Sequence, residues 1–358
     1  MNKNTYVVIM AGGVGTRFWP YSRIKKPKQF LDVVGCGRTL IQLTMDRFKS
    51  TVPTKNIFVV SNERYRDLIY EQLPELTEDQ LLLEPFQRNT APCVAYASYK
   101  ISKINPEANI IVTPSDHAIF NDADFLKTID SALEVSQSGD KLVTIGIQPH
   151  KPETGYGYIQ FISDSKEEVK KVKTFTEKPE LELAKKFLES GDFVWNAGLF
   201  VWNVASIIAS FEKYEPDMAL LFKGIESDYF TSKEKSSIHD AYAHAKNISI
   251  DYAILEKADN VWVVLANFGW SDLGAWDSLY ELREKNENKN VIEGNVTTYA
   301  TKNCIISGSS KKLIVVEGLE NYLIADNENS LLICKRGNEQ QMRTIVKDVK
   351  MNKGDKYL

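Results

Sequence analysis

A glycine-rich loop and two aspartates are the residues of this chain best suited to phosphate chemistry. Ala11-Gly12-Gly13-Val14-Gly15-Thr16-Arg17 follows the apolar run Tyr6–Met10, and Lys25, Lys26 and Lys28 come before any helical pattern begins. Glycines let backbone approach phosphate oxygens and present N–H donors, while Arg17 and Lys28 bring positive charge. Phe18 stands where a dinucleotide fingerprint needs its third glycine, and the Lys-Ser/Thr ending of a Walker loop is missing. Hydride transfer and an ordinary P-loop are therefore disfavoured, and the plain alternative is a flexible turn.

Asp116 stands just beyond the apolar run Ile110-Ile111-Val112-Thr113, and Asp272 comes shortly after Val261–Ala266. Two carboxylates beyond strands at one end of a sheet suit Mg²⁺, which takes hard oxygen ligands and often only one or two from protein. The bland readings are turn chemistry for Asp116 and helix N-capping for Asp272, ahead of Leu273-Gly274-Ala275-Trp276. In Thr176-Glu177-Lys178-Pro179, the proline suits the first turn of a following helix, while the lysine at a strand end is placed to meet phosphate as a point charge. Asn196 is a lone amide in Val194-Trp195-Asn196-Ala197-Gly198-Leu199-Phe200; a sugar hydroxyl would satisfy it, and so would backbone at a bulge.

Holding these residues together requires alternating strands and helices. Tyr6–Met10, Ile57–Val60, Asn109–Thr113, Lys141–Ile145 and Val261–Ala266 read as strands; Leu40–Lys49, Glu63–Leu73, Ala91–Ile104 and Asp124–Ser136 have the length of crossover helices. The pattern predicts an α/β fold with a doubly wound, Rossmann-like, mostly parallel sheet, whose ligands bind beyond the carboxyl ends of the strands. Residues 1–284 form the expected catalytic domain, with a strand-rich insertion at about 150–203 holding one polar helix near Glu180–Glu189. Residues 285–358, which begin within the charged stretch REKNENKN, form a small β domain.

Composition narrows the function. With 44 basic and 48 acidic residues the net charge is −4, so no global positive field exists to hold nucleic acid. The four cysteines include no CxxC pair, which argues against a thiolate zinc site and a disulfide-stapled fold. His239 and His244 are five apart and read as surface residues. The opening residues MNKNTYVVIMAGG lack a signal or membrane-spanning segment, so a cytoplasmic location with no membrane partner is expected.

Taken together, AGGVGTRFWPYSR with KPKQF, EPFQRNTAP, FTEKP, WNAGLFVW, SIDYAILEK and GWSDLGAW resemble the nucleotide-sugar pyrophosphorylases, in particular the mannose-1-phosphate guanylyltransferase branch. The resemblance runs from Tyr6 to about Leu282 and more loosely beyond. It implies transfer of GMP from GTP to α-D-mannose 1-phosphate with Mg²⁺, an activity of class EC 2.7.7. It implies that Ala11, Gly12, Gly13, Gly15 and Thr16 cradle the nucleotide, that Arg17 and Lys28 neutralise the triphosphate, and that Asn89 and Thr90 lie near base and ribose. Asp116 and Asp272 would hold the metal. Glu177, Lys178, Asn196, Asp251 and the Gly155 loop would line the sugar phosphate, with Arg17, Lys28 and Lys178 as the catalytic cations. The tail after Glu284 is too short for the cupin-type isomerase domain of the long bifunctional members, so the short form is implied. The family's tail is often a left-handed β-helix used in homodimer contacts, and a homodimer is expected. The alternatives are a glucose or fucose 1-phosphate, UTP or dTTP in place of GTP, and a non-catalytic GDP-mannose-binding regulatory homologue.

Overall fold

The computed structural model describes residues 3–163 and 167–358. They form two compact units: one comprises the chain up to Gly12, Gln42–Ser115 and Ile119–Trp270; the other comprises Gly13–Ile41, Asp116–Ala118 and Ser271–Leu358.

The first unit is built on a sheet of nine strands. In chain order the strands are β1 (Thr5–Met10), β2 (Ile57–Asn62), β3 (Leu81–Glu84), β4 (Asn109–Pro114), the two-residue β5 (Ala118–Ile119) outside this sheet, β6 (Leu142–Ile147), β7 (Gly157–Phe161), β8 (Val169–Glu177), β9 (Phe193–Asn203) and β10 (Val261–Ala266). Their spatial order is β3-β2-β1-β4-β9-β6-β10-β8-β7. β1 pairs in parallel with β2 and β4, with Val8 opposite Phe58 and Val112. The run Val7-Val8-Ile9 is fully buried, as a parallel strand covered on both faces requires.

The sheet is mixed rather than mostly parallel. Parallel pairing holds for β3-β2-β1-β4 and for β6 with β10, while β9 runs antiparallel between β4 and β6, and β7 and β8 are antiparallel to their neighbours. The strand-rich segment around 155–203 thus contributes β9 to the middle of the main sheet. Apolar composition specifies that β9 is buried on both faces; it does not specify its direction.

The helices are α1 (Leu40–Lys49), α2 (Arg66–Gln72), α3 (Thr90–Ile104), α4 (Asp122–Gln137), α5 (Leu181–Ser190), α6 (Val204–Tyr214), α7 (Pro216–Lys223), α8 (Glu234–His244), α9 (Trp276–Leu282) and α10 (Glu339–Lys353). The apolar face of α3, from Ala91 to Ile101, joins Tyr6, Val8, Val112, Phe200, Phe211, Phe222 and Tyr242 in one core. α5 is capped by Glu180, so Pro179 lies one residue outside the helix and not in its first turn. No helix among the described residues is long and apolar enough to cross a membrane.

In the second unit, after the short β11 (Trp270–Ser271), come β12 (Val291–Glu293), β13 (Val296–Tyr299), β14 (Ile305–Ser307), β15 (Ile314–Glu317), β16 (Tyr322–Asn327) and β17 (Ser330–Lys335). β12, β14 and β16 stack in parallel, with Val291 opposite Ile305 and Ile305 opposite Leu323, and β13 pairs in parallel with β15. Cys304, Ile306, Val316 and Ile324 fill the space between these rungs. α10 packs against the short 3₁₀ turn Thr16–Phe18, and Met342 on its apolar face is buried.

Candidate active site

Within the second unit the glycine loop is shaped by Gly15. Its φ of +68° is left-handed, and a Cβ there would lie 2.7 Å from Cβ of Lys28, so glycine meets both the backbone and the steric demand. Ser22 Oγ donates to Val14 O, and Gln29 Nε2 donates to Gly13 O at 2.9 Å. Arg17, in the 3₁₀ turn, is half-buried, and its guanidinium makes no hydrogen bond or ion pair among the described residues. It is a cation with unused donors beside a turn rich in backbone N–H.

Lys28 is differently placed. It is buried at 3 % exposure, and its ammonium donates to Asp116 Oδ2 at 2.9 Å, Asp272 O at 2.7 Å and Leu273 O at 3.1 Å. An ammonium has three donors, so protein oxygens satisfy all of them. The lysine draws the Asp116 carboxylate and the Asp272 backbone to one point.

Burial pushes the Asp116 carboxyl upward, but the Lys28 ammonium and His117 outweigh it and hold the group below its ordinary value. Burial holds the His117 imidazole down against the pull of Asp116 and Asp272, so His117 faces both carboxylates. Asp272 Oδ1 accepts from Gly274 N at 2.8 Å, an Asx-type turn. The helix that follows is capped by Ala275, so Asp272 is not its N-cap. Leu273 takes a φ of +44°, a strained value for a leucine that fixes the turn after Asp272.

The donor chemistry of Asp116 and Asp272 suits a divalent metal. Both are hard oxygen ligands, and no group of three or more candidate ligands forms among the described residues, which leaves substrate oxygens and water to complete a shell.

Within the first unit two groups of predicted residues assemble. Asn196 Nδ2 donates to Asp251 Oδ1 at 2.8 Å, while Asn196 Oδ1 accepts from Gly198 N at 3.0 Å and Thr144 Oγ1 at 3.3 Å. Asp251 opens a π-helical turn, Asp251–Leu255, of the kind that often re-aims side chains at functional sites. Burial, and then the nearby Glu177 carboxylate, push the Asp251 carboxyl up against the opposing Asn196 and Lys178. Glu177 pairs with Lys178, whose own φ is +47°. A Cβ on Gly157 would lie 2.6 Å from Glu177 Oε2. Gly155 N donates to Glu153 Oε1 at 3.1 Å, and the adjacent Tyr156 packs edge-on against Trp195 and Trp270. Two carboxylates, an amide and a lysine around an aromatic-walled loop are the groups a sugar phosphate would use.

The second group surrounds the end of β1. Ala11 N donates to Val60 O at 2.8 Å, and Ser61 Oγ donates to Ala11 O at 2.7 Å, fixing the strand as it reaches Gly12. Asn89, at φ +65°, caps α3 by accepting from Thr90 N, and Thr90 Oγ1 accepts from Ile250 N at 2.9 Å. Glu84 stands among them, buried, with Oε1 accepting from Tyr242 Oη at 3.0 Å. Sequence reasoning missed Glu84, although a carboxylate ending the run Leu81-Leu82-Leu83 ahead of Pro85 was the available signal. It also missed Tyr242 and His117. His239 and His244 are exposed on α8, as their spacing suggested.

Comparison with known proteins agrees with this chemistry. Residues 6–289 match the nucleotidyl transferase family. A mannose-1-phosphate guanylyltransferase of Sinorhizobium fredii is 38% identical over 95% of this chain, which spans 66% of that protein. One of Klebsiella pneumoniae is 35% identical over 98% of this chain, which spans 75% of it. The chain thus spans about two thirds to three quarters of the length of these relatives. A Thermus thermophilus structure, described as a mannose-1-phosphate geranyltransferase, superposes with a TM-score of 0.86 at 28% identity, covering 97% of this chain and 99% of that one. Nucleotidyl transferases as a family work with a divalent metal. The chain belongs to the nucleotidyl transferase family, on the branch of the mannose-1-phosphate guanylyltransferases.

Proposed function

We propose that the chain transfers GMP from GTP to α-D-mannose 1-phosphate, releasing GDP-mannose and pyrophosphate, by in-line attack of the sugar phosphate on the α-phosphorus without a covalent enzyme intermediate. The observation that carries this reading is Lys28, which gathers the Asp116 carboxylate and the Asp272 turn in the unit that also offers the unpaired Arg17. The relatives' names support the choice of sugar and base.

The attacking phosphate oxygen is ionised at neutral pH, so no general base is needed; the work is alignment and charge stabilisation. Gly12, Gly13, Gly15 and Thr16 bind the polyphosphate through backbone, and Ala11, Asn89 and Thr90 serve the nucleoside. Arg17 carries positive charge to the triphosphate. Lys28 keeps Asp116 ionised and exchanges one of its protein acceptors for a phosphate oxygen when the nucleotide binds. Lys178 meets the sugar phosphate, and Glu177, Asn196, Asp251 and the Gly155 loop hold the hydroxyls. Asp116 and Asp272 would hold Mg²⁺, which would supply charge neutralisation between the two polyanions. The stacked C-terminal rungs would be a left-handed β-helix. Exposed Tyr299, Leu313, Val315, Leu331 and Ile333 on and beside its strands support a homodimer. A soluble biosynthetic enzyme of this kind would act in the cytoplasm.

The test is a panel of four nucleoside triphosphates against mannose, glucose and fucose 1-phosphates, followed by pyrophosphate release. GTP with mannose 1-phosphate should dominate. A preference for another pair would replace the assignment, and tight GDP-mannose binding without turnover would point to a regulatory homologue.

A further inference from the structure

Between the glycine loop and Lys28 the chain is tied repeatedly to the C-terminal rungs of the same unit. Trp19 Nε1 donates to Tyr357 O at 2.8 Å, Pro20 O accepts from Asn327 Nδ2 at 2.9 Å, and Tyr21 Oη and Ser307 Oγ share a hydrogen bond of 2.8 Å. Arg23 makes the largest set of these ties. It is 8 % exposed, and its guanidinium donates to Pro20 O at 3.0 Å, Asn329 Oδ1 at 2.9 Å and Asn327 O at 3.0 Å, and pairs with Glu328 Oε2 at 3.2 Å. Asn327 and Ser330 face each other across the two-residue turn Glu328-Asn329 that joins β16 to β17, and Glu328 takes a φ of +49° there. A positive φ is costly for a residue with a side chain, so the turn has one defined shape that its surroundings hold.

The other side of Arg23 leads to the polyphosphate residues. Ser22 Oγ donates to Val14 O inside the glycine loop and lies 3.3 Å from where a Cβ on residue 15 would stand. Arg23 N donates to Lys26 O at 3.1 Å and Lys26 N donates to Arg23 O at 3.0 Å, closing a turn that delivers the chain to Pro27 and Lys28. A shift at Arg23 therefore moves both the loop and Lys28. The guanidinium is a planar fork whose donors fix angle as well as distance, which a lysine in its place would not do.

We propose that the β16–β17 turn sets the shape of the glycine loop through Arg23, which makes the C-terminal rungs part of the nucleotide site. Arg23 is a positioning residue: it acts through Ser22 and the Lys26 turn without touching GTP. This rests on the reading of the glycine loop and Lys28 as the GTP polyphosphate site, and it extends that site to a segment that composition alone sets apart as a separate β domain.

The experiment measures pyrophosphate release with each substrate varied in turn, for Arg23→Lys, Asn329→Ala and the two combined. Arg23→Lys keeps the charge and loses the fork; it should raise KM for GTP by about 10-fold, the effect of one hydrogen bond to a charged group, with kcat and KM for mannose 1-phosphate changed by less than about 2-fold. Asn329 is exposed, so Asn329→Ala tests the same link with the core untouched, and it should raise KM for GTP several-fold. The double variant should be no worse than Arg23→Lys alone, because both changes break one link. Val316→Ala removes buried methyl groups between the rungs and no contact of Arg23; it should lower the melting temperature and leave KM for GTP unchanged. Unchanged KM for GTP in both single variants, additive effects in the double, or an equal rise in KM in Val316→Ala overturns the inference while the transferase reading stands. A wild type that releases no pyrophosphate from GTP overturns that reading and the inference together.

Discussion

Replacing Glu84 by glutamine should make the free protein more stable above neutral pH, and the size of the effect follows from its burial. In the unfolded chain this carboxyl titrates near 4.5, whereas burial raises it to about 7 in the fold. Between those values the folded chain holds a proton that the unfolded chain has lost. Wild-type stability therefore falls as pH rises through this window, and the loss is complete above about 7. At about 1.4 kcal/mol for each tenfold in proton affinity, the ionised carboxylate costs about 3 kcal/mol at pH 8 and only a small part of that at pH 5. Glu84→Gln removes the titration and keeps an oxygen for Tyr242 Oη. Urea unfolding of both proteins at pH 5 and pH 8, without nucleotide, isolates the effect because every other titration is common to the pair. The variant should gain about 2–3 kcal/mol on wild type between the two pH values. Parallel pH dependence in the two proteins would refute the reasoning, since it would mean that Glu84 is solvated or paired in the folded chain.

Asp116→Asn and Asp272→Asn should each lower kcat by more than about 100-fold and raise the Mg²⁺ concentration needed for half-maximal rate, with an unchanged circular dichroism spectrum; full turnover at ordinary Mg²⁺ would remove that residue from the metal site. Lys178→Ala should weaken mannose 1-phosphate binding in a calorimetric titration and leave GTP binding nearly unchanged, and the reverse order would mean the two substrates have been exchanged. Gly15→Ala forces a Cβ against Lys28 at positive φ, and should lower the stability of the second unit by about 1–3 kcal/mol along with GTP affinity, readable as a fall in melting temperature and a rise in KM.

The legible parts of the fold were those where a local signal and the tertiary environment agree. Val261–Ala266 and Leu40–Lys49 have the bounds expected, because an apolar run between turns and an amphipathic run of ten residues each admit one reading. The direction of β9 was not legible: a strand buried on both faces looks the same entering from either side. The helices between Val204 and His244 were not anticipated. Nor was α10, although Met342, Ile345, Val346 and Val349 recur at helical spacing within an otherwise charged stretch. The candidate site was legible where chemistry is unusual for its surroundings, as with Asn196 in an apolar strand or Lys178 ahead of a proline. Glu84 escaped because its burial and its hydrogen bond depend on Tyr242, about 160 residues away in sequence. Lys28 was visible as a cation, but its contacts with Asp116 and the Asp272 turn come from chain segments no local pattern could bring together.

The proposed reaction is a single direct displacement at the α-phosphorus, with no nucleotidyl group ever attached to the enzyme. Turnover of one diastereomer of GTP carrying sulfur on its α-phosphorus, with mannose 1-phosphate as acceptor, tests this most directly, because each in-line displacement inverts that centre. The GDP-mannose analogue formed should have inverted configuration; retained configuration would mean two displacements and a covalent intermediate, and would contradict the account.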